Sequence, residues 1–278
     1  DLDDFENLAK PRDLSKIFES AELTKWRNFR DTEDSRYVAL TLPRVMMRLP
    51  YGSENNPADG LMFEEEVGRY IYQTDDQGQP VKGKDGRLKV LTSTDSNGVV
   101  NEVTRKQTDS TKILWGNPAY LLATNINAAF SAYGWTAAIR GVDGGGLVSG
   151  LPAYSYETED GEVTLSCPTQ VAITDRREKE LNDLGFISLC HCKGTNKAAF
   201  FGGQTTNKPK KYLNNSATKN AEVSAMLPYM LAASRFAHYI KVMMRERIGS
   251  FSTGQSVQDF LNSWIAQYVL LDDSAPSV

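Results

Sequence analysis

Thiols and imidazoles are scarce in this chain: 278 residues contain three cysteines and two histidines. An odd, small number of cysteines cannot form a disulfide framework, and two histidines leave metal chemistry short of ligands; a reducing compartment is expected. Positive charge is not in excess either. Thirty-one Lys and Arg against 35 Asp and Glu leave a net charge of -4, the wrong sign for a general nucleic-acid binder, which must neutralise phosphates. No apolar run reaches the roughly 18 residues that a membrane span needs. The nearest, AMLPYMLAA, contains Pro228 and gives way to Ser234 and Arg235, so no direct membrane insertion is expected. The chain opens at DLDDFENLAK with neither an initiating methionine nor a signal-like segment, and it is expected to be a piece of something longer.

What is present is enough for a proper core, with 40% hydrophobic and 24% charged residues. Residues 1–36 carry spaced apolar positions on a charged background, the pattern of short amphipathic helices. YVALTLPRVMMRLP reads as a strand that tolerates proline at its ends or edge. Residues 73–112 are polar and turn-rich, with only RLKVLT and VVNEVT strand-like, and predict a hairpin-like insert. NPAYLLATNINAAFSAYG predicts a helix with Asn117 as cap, Pro118 at its first position and Gly134 at its end, followed by a strand in WTAAIRG. VTLSCPTQVAIT is strand-like; TDRREKELNDLG predicts a helix from Thr174 to Gly185. FISLCHCK and AAFFGGQT, joined by KGTNK, predict a hairpin or two neighbouring strands. SAMLPYMLAASRFAHYIKVMMRERIG is apolar around most of its circumference and predicts a central, buried helix ending at Gly249. SVQDFLNSWIAQYVLL predicts an amphipathic helix started by Ser256 and Asp259. Strands and helices alternate without repeats, so the fold class is α/β or α+β, a mixed sheet flanked by helices.

The residues that draw the eye as chemistry do not assemble into it. RGVDGGGLVSGLP (140–152) places Ser149 where a dinucleotide fingerprint needs its third glycine, extended chain follows instead of a helix, and no G-K-[ST] ends it. The glycines Gly144, Gly145 and Gly146 are read as a close-packing loop. LVSGL is not the Gly-x-Ser-x-Gly elbow of a serine hydrolase. In CHC (190–192), a strand would put Cys190 and Cys192 on one face and His191 on the other, so one ion cannot easily collect all three. His238 falls within the predicted buried helix and reads as a hydrogen-bonded core residue. Glu64, Glu65, Glu66, Asp75 and Asp76 read as solvated acids. The basic run KPKKY (208–212) reads as a solvated loop or a protein contact. No catalytic residue, cofactor or metal site is assigned.

Four long stretches carry a resemblance: RDLSKIFESAELTKWRNFRDTEDSRYVALTLPRVMMRLPYG at 12–52, LWGNPAYLLATNINAAFSAYGWTAAIRGVDGGGLVSGLP at 114–152, PTQVAITDRREKELNDLGFISLCHCK at 168–193 and SRFAHYIKVMMRERIGSF at 234–251. Their order and spacing resemble the large subunit of the type VI secretion contractile sheath, the TssC/VipB family, itself similar to phage tail sheath proteins. The resemblance implies a structural protein with a tail-sheath-like core and long C-terminal helices, not an enzyme. It implies a TssB/VipA-like small sheath subunit and further copies of itself as partners, an Hcp inner tube, a baseplate, a ClpV-type AAA+ ATPase that dismantles the contracted form, and the bacterial cytoplasm as location.

Residues 1–278 are then expected to be a single sheath-subunit core lacking an N-terminal segment, including the helix read by ClpV, and a C-terminal strand-bearing segment, with 73–112 as a surface insert. By analogy with the helix that related sheaths lay against their tubes, Gln258, Asp259 and Asn262 are the candidate tube-contact face. Two other readings stand beside this one: a sheath of a phage tail or another contractile injection system, and a cytoplasmic α/β enzyme holding a phosphorylated ligand at the glycine loop.

Overall fold

The computed structural model describes residues 14–52, 112–157, 163–247, 249–250 and 253–269, together with scattered residues between 63 and 108. Its centre is a four-stranded sheet in the order β1 (Leu40–Leu42), β11 (Phe186–His191), β12 (Ala198–Phe200), β8 (Leu147–Val148). β1 runs parallel to β11, with Leu40 opposite Phe186; the β11–β12 and β12–β8 pairings are antiparallel. The sheet is therefore mixed.

Both faces of the sheet are covered, because side chains alternate along β11. Ile187 and Leu189 enter a cluster with Phe200, Val148, Ile139 and Val45, roofed by Leu122 and Ala129 of helix α3 (Ala119–Tyr133). On the other face Phe186 packs with Leu14, Leu42 and Leu181, where the short helices α1 (Ser15–Phe18) and α2 (Thr24–Arg30) meet α4 (Asp175–Asp183). Trp26 stacks on the Phe186 ring at a centroid distance of 5.6 Å.

The punctuation expected from sequence largely holds. Asn117 Oδ1 accepts the Ala119 amide and Gly134 closes α3 at φ 69°, while α4 lies between Thr174 and Gly185, the latter at φ 89°. The hairpin between β11 and β12 turns through Gly194 at φ 75°. Proline splits the first predicted strand: β1 ends before Pro43, whose peptide with Leu42 is cis, and β2 (Val45–Met46) pairs with β7 (Trp115–Gly116). β3 (Gly68–Tyr70), just before the insert, pairs with β6 (Thr104–Thr108) inside it, and within the insert β4 (Thr92–Thr94) pairs with β5 (Val100–Glu102), all antiparallel. β9 (Ser155–Glu157) and β10 (Val163–Leu165) form a further antiparallel pair.

Four expectations are corrected. WTAAIRG is not a strand: the Arg140 amide goes to Gly144 O and only the Gly141 amide reaches Phe200 O, so no ladder forms beside β12. The long apolar stretch does form one helix, α6 (Leu227–Glu246), preceded by α5 (Asn215–Ser224), but neither has a buried residue, so α6 is not the buried helix expected. Among the described residues, Leu227 and Leu231 are the positions of α6 that pack against the core cluster, so a largely apolar helix stays half exposed. His238 on it is consequently exposed, not a core residue. The last helix, α7 (Gly254–Ile265), is capped by Thr253, whose hydroxyl accepts the Ser256 amide, and Ser256 lies inside the helix. Asn214 caps α5 in the same way, by accepting the Ser216 amide at 2.9 Å.

Candidate functional site

The glycine loop folds as a tight, kinked turn, Val142–Gly146, with Gly145 at φ 86°, and continues directly into β8. A Cβ on Gly145 would stand 2.1 Å from Ala138 O, and one on Gly146 would stand 2.4 Å from Phe200 O; Gly144 faces open space. The Arg140, Gly141 and Gly146 amides are bonded to Gly144 O, Phe200 O and Gly141 O. Three of the backbone donors around the loop are thus used within the fold, and a strand, not a helix N-terminus, follows.

The other chemistry-bearing residues are dispersed. Cys190 is buried, and burial pushes its thiol up to about 12, which keeps it protonated and unreactive. His191 bonds Thr195 O through Nε2 at 2.7 Å, inside the hairpin turn. Among the described residues no three metal-ligating groups converge. Ser149 is exposed at the end of β8. Of the acids, Glu65 is not merely solvated: Arg48 grips it through both nitrogens at 2.7 and 2.8 Å, and it also accepts the Tyr51 amide. The Arg48 hydrogen bond, then the Tyr51 amide, hold its carboxyl down to about 2. Glu64, Glu66, Asp75 and Asp76 lie outside the described residues.

The most constrained polar group is one that sequence reasoning passed over, the segment Gln204–Asn207 in FGGQTTN. All four residues are buried. Thr205 Oγ1 donates to Ala225 O at 2.6 Å and the Leu227 amide to Gly203 O at 2.7 Å, tying the segment to the α5–α6 junction. In the other direction, Thr206 Oγ1 donates to Ser35 O, and Asn207 Nδ2 to Thr32 O and Ser35 Oγ. Arg30, 6% exposed, donates to Thr206 O and to Asp183 O, the last carbonyl of α4. Desolvation pulls its pKa down, opposed by Asp31 and Asp183; the helix C-terminus also favours a cation there. Three distant parts of the chain are bolted together at one polar joint. The only hint in the sequence is a run of small polar residues directly after an apolar strand.

Two surfaces surround this body. α3 contains no charged residue in 15, yet Tyr120 is 73% exposed and Tyr133 69%; a helix face bare of charge is unusual against water. At its C-terminal end Trp135, Phe236, Trp264 and Tyr268 form a ring cluster with centroids 5.2 to 5.9 Å apart. Arg235 lies 4.4 Å over Trp135 and donates to Gly134 O. This cluster holds α7 against α6, leaving Gln258, Asp259 and Asn262 together on the exposed face. Asp259 Oδ1 there accepts Gln255 Nε2 at 2.9 Å.

The second surface is a cleft of about 890 Å³ between α4, the segment 208–212 and α5, lined among others by Lys179, Lys208, Lys210, Lys211, Tyr212 and Glu222. No helix among the described residues is long and apolar enough to cross a membrane.

The family described as EvpB/VC_A0108, tail sheath N-terminal domain (VipB), matches residues 1–77 and 91–207, and that described as EvpB/VC_A0108, tail sheath gpW/gp25-like domain, matches 216–278. The first match breaks inside the polar insert, and the two are separated by the segment that carries three of the cleft's four lysines, Lys208, Lys210 and Lys211. The type VI secretion system sheath protein TssC1 of Pseudomonas aeruginosa is 43% identical over 265 residues, 95% of this chain and 46% of the relative. The chain spans about half the length of that curated relative. A mixed sheet bolted to helices at a polar joint, with conspicuous outer faces, carries the pattern of that group along most of its length: the chain belongs to the VipB family of tail sheath proteins.

Proposed function

We propose that the chain is a structural subunit of a contractile type VI secretion sheath. In this reading it pairs with a TssB/VipA-like small subunit, and the pairs stack helically around an Hcp tube in the bacterial cytoplasm. The cylinder shortens against a baseplate to drive the tube outward, and a ClpV-type ATPase recycles the shortened form. The observation that carries the reading is the 43% identity to a sheath protein across 95% of the chain. The geometry supports it. Helical stacking requires different patches to meet on successive copies, and the uncharged α3 face is such a patch. Two alternative packings also require bodies that move without deforming, and the buried joint of Arg30 with residues 204–207 supplies that rigidity.

Within this proposal residues 1–278 act as one body, the insert at 73–112 is a hairpin on the sheath exterior, and Gln258, Asp259 and Asn262 face the tube. Asp259→Lys is expected to impair sheath–tube co-assembly; unimpaired co-assembly removes the tube assignment. The whole proposal is tested by negative-stain microscopy of the full-length protein co-expressed with its small partner. Hollow tubules are expected, and protein that stays dispersed overturns it.

A further inference from the structure

We propose that the cleft between α4, the segment 208–212 and α5 is a docking site for an acidic peptide segment of a protein partner. Four lysines border it, Lys179, Lys208, Lys210 and Lys211, all exposed and none in an ion pair among the described residues. The cleft's acids are Asp31, Asp183 and Glu222. Two of them, Asp31 and Asp183, already interact with the Arg30 guanidinium beneath them. With Arg30 counted, five positive groups stand against three negative ones, a local surplus of two on a chain whose net charge is -4. A positive cleft on an acidic molecule attracts an acidic partner, which the rest of the net-negative surface repels.

The mixture of charges selects the kind of polyanion. A nucleic-acid backbone carries phosphates at every step and would press some of them against Asp31, Asp183 and Glu222. A peptide can set carboxylates against the lysines and neutral or basic residues against the acids. It can also use the apolar rim, where Tyr212 is 53% exposed and the adjoining Leu213 entirely so. The size lies within the range of ligand clefts.

The floor is rigid, since Gln204 and Met226 belong to or adjoin the buried joint, with the Gln204 side chain bonded to Ala225 O at 3.3 Å. A segment seated there contacts both family-matched parts of the chain at once. The inference rests on the assembly reading for the partner being another component of the sheath; the preference for acidic peptide stands on the cleft's own charges.

The test is fluorescence anisotropy of the chain with a fluorescein-labelled peptide of glutamates around one leucine. Its controls are the same peptide with glutamines and a single-stranded oligonucleotide of equal charge. The acidic peptide is expected to bind, to weaken with salt, and to lose about tenfold or more in affinity when Lys208, Lys210 and Lys211 are all changed to Glu. Arginine at the same three positions retains binding. Equal binding of the glutamine peptide, unchanged binding by the charge-reversed chain, or tighter binding of the oligonucleotide overturns the proposal. Lys210→Glu alone, at an exposed position, is expected to weaken the acidic peptide severalfold and keeps the test readable if the triple variant folds poorly; unchanged binding by it also overturns the proposal. Tubule formation is scored separately: its failure in the unaltered full-length protein counts against the assembly reading, and the peptide result stands apart from it.

Discussion

The sheet body and the α6–α7 helical pair are built by opposite means. Around β11 and β12 side chains vanish from solvent, with Leu189, Ala198, Ala199 and Phe200 all 0% exposed; the buried Thr205, Thr206 and Asn207 beyond β12 are bonded to backbone, while Ser188 Oγ within β11 has no hydrogen-bond partner. Neither α6 nor α7 has a buried residue; rings and the Arg235 and Arg247 guanidinium groups hold them, the latter 4.0 Å over Phe260. Dispersion packing gives the body one arrangement. Edge-to-face rings and cation–π contacts are weaker and leave half of each helix free to meet something else. The contrast separates a part made to keep its shape from a part made to be covered.

The sharpest way to break the contrast is to empty the body. Phe200→Ala should cost about 4 kcal/mol of global stability, the range for deleting a fully buried aromatic ring, read as a lower denaturation midpoint for the whole chain. Arg30→Ala comes next. It leaves Thr206 O buried, and Asp183 O part-buried, without the Arg30 donor, and about 3 kcal/mol is expected from two charge-assisted bonds. Because this joint spans both family-matched segments, the loss should appear as one transition; two separated transitions would mean that the segments are independent units.

In the helical pair the same size of deletion should do less. Trp264 touches Phe236 and Tyr268, and such ring pairs are each worth roughly 1 kcal/mol. Trp264→Ala is expected to raise amide exchange along α7 while leaving β11 and β12 protected. If β11 loosens as well, the two regions are one cooperative unit and the contrast fails.

What could be read from the residue order follows the same division. Local signals worked where a residue acts on its own neighbours: Asn117 and Gly134 around α3, Gly185 after α4, Gly194 in the β11–β12 turn. They failed where the deciding partner lies far along the chain. The WTAAIRG stretch has strand composition, but the turn at 142–146 takes the Arg140 amide before a ladder can form. α6 has the composition of a buried helix, but only Leu227 and Leu231 reach the core. The joint at residues 204–207 depends on Arg30 and Ser35, more than 160 residues away, a pairing that periodicity cannot express. Among the surface residues singled out from the sequence, Gln258, Asp259 and Asn262 do share an exposed face, as helical spacing requires. The cleft lysines were visible only as a run, because Lys179 comes from another helix.

The smallest effect expected is a pH slope, and it tests whether the body tolerates a charge at its edge. Glu178 on α4 is half-buried, with Oε1 out of solvent against Gly202. Burial raises its pKa above the ordinary 4.5, opposed by the Arg140 guanidinium and the Gly202 amide. Between 4.5 and that raised value the folded chain holds more protons than the unfolded one, so its contribution is favourable at low pH and is lost as pH rises through the window. Glu65 works the other way. Its folded value of about 2 gives stability that is present above 4.5 and lost as pH falls towards 2. Glu178→Gln keeps an oxygen for the Gly202 amide and removes the charge. The variant should match or exceed the parent's stability at pH 7 and converge with it below pH 4.5, as measured by urea unfolding across that range. A variant that is weaker at neutral pH, with the deficit closing in acid, would show instead that attraction between the carboxylate and Arg140 outweighs its burial. The edge of the body would then be held by charge, as α6 and α7 are, and not by packing.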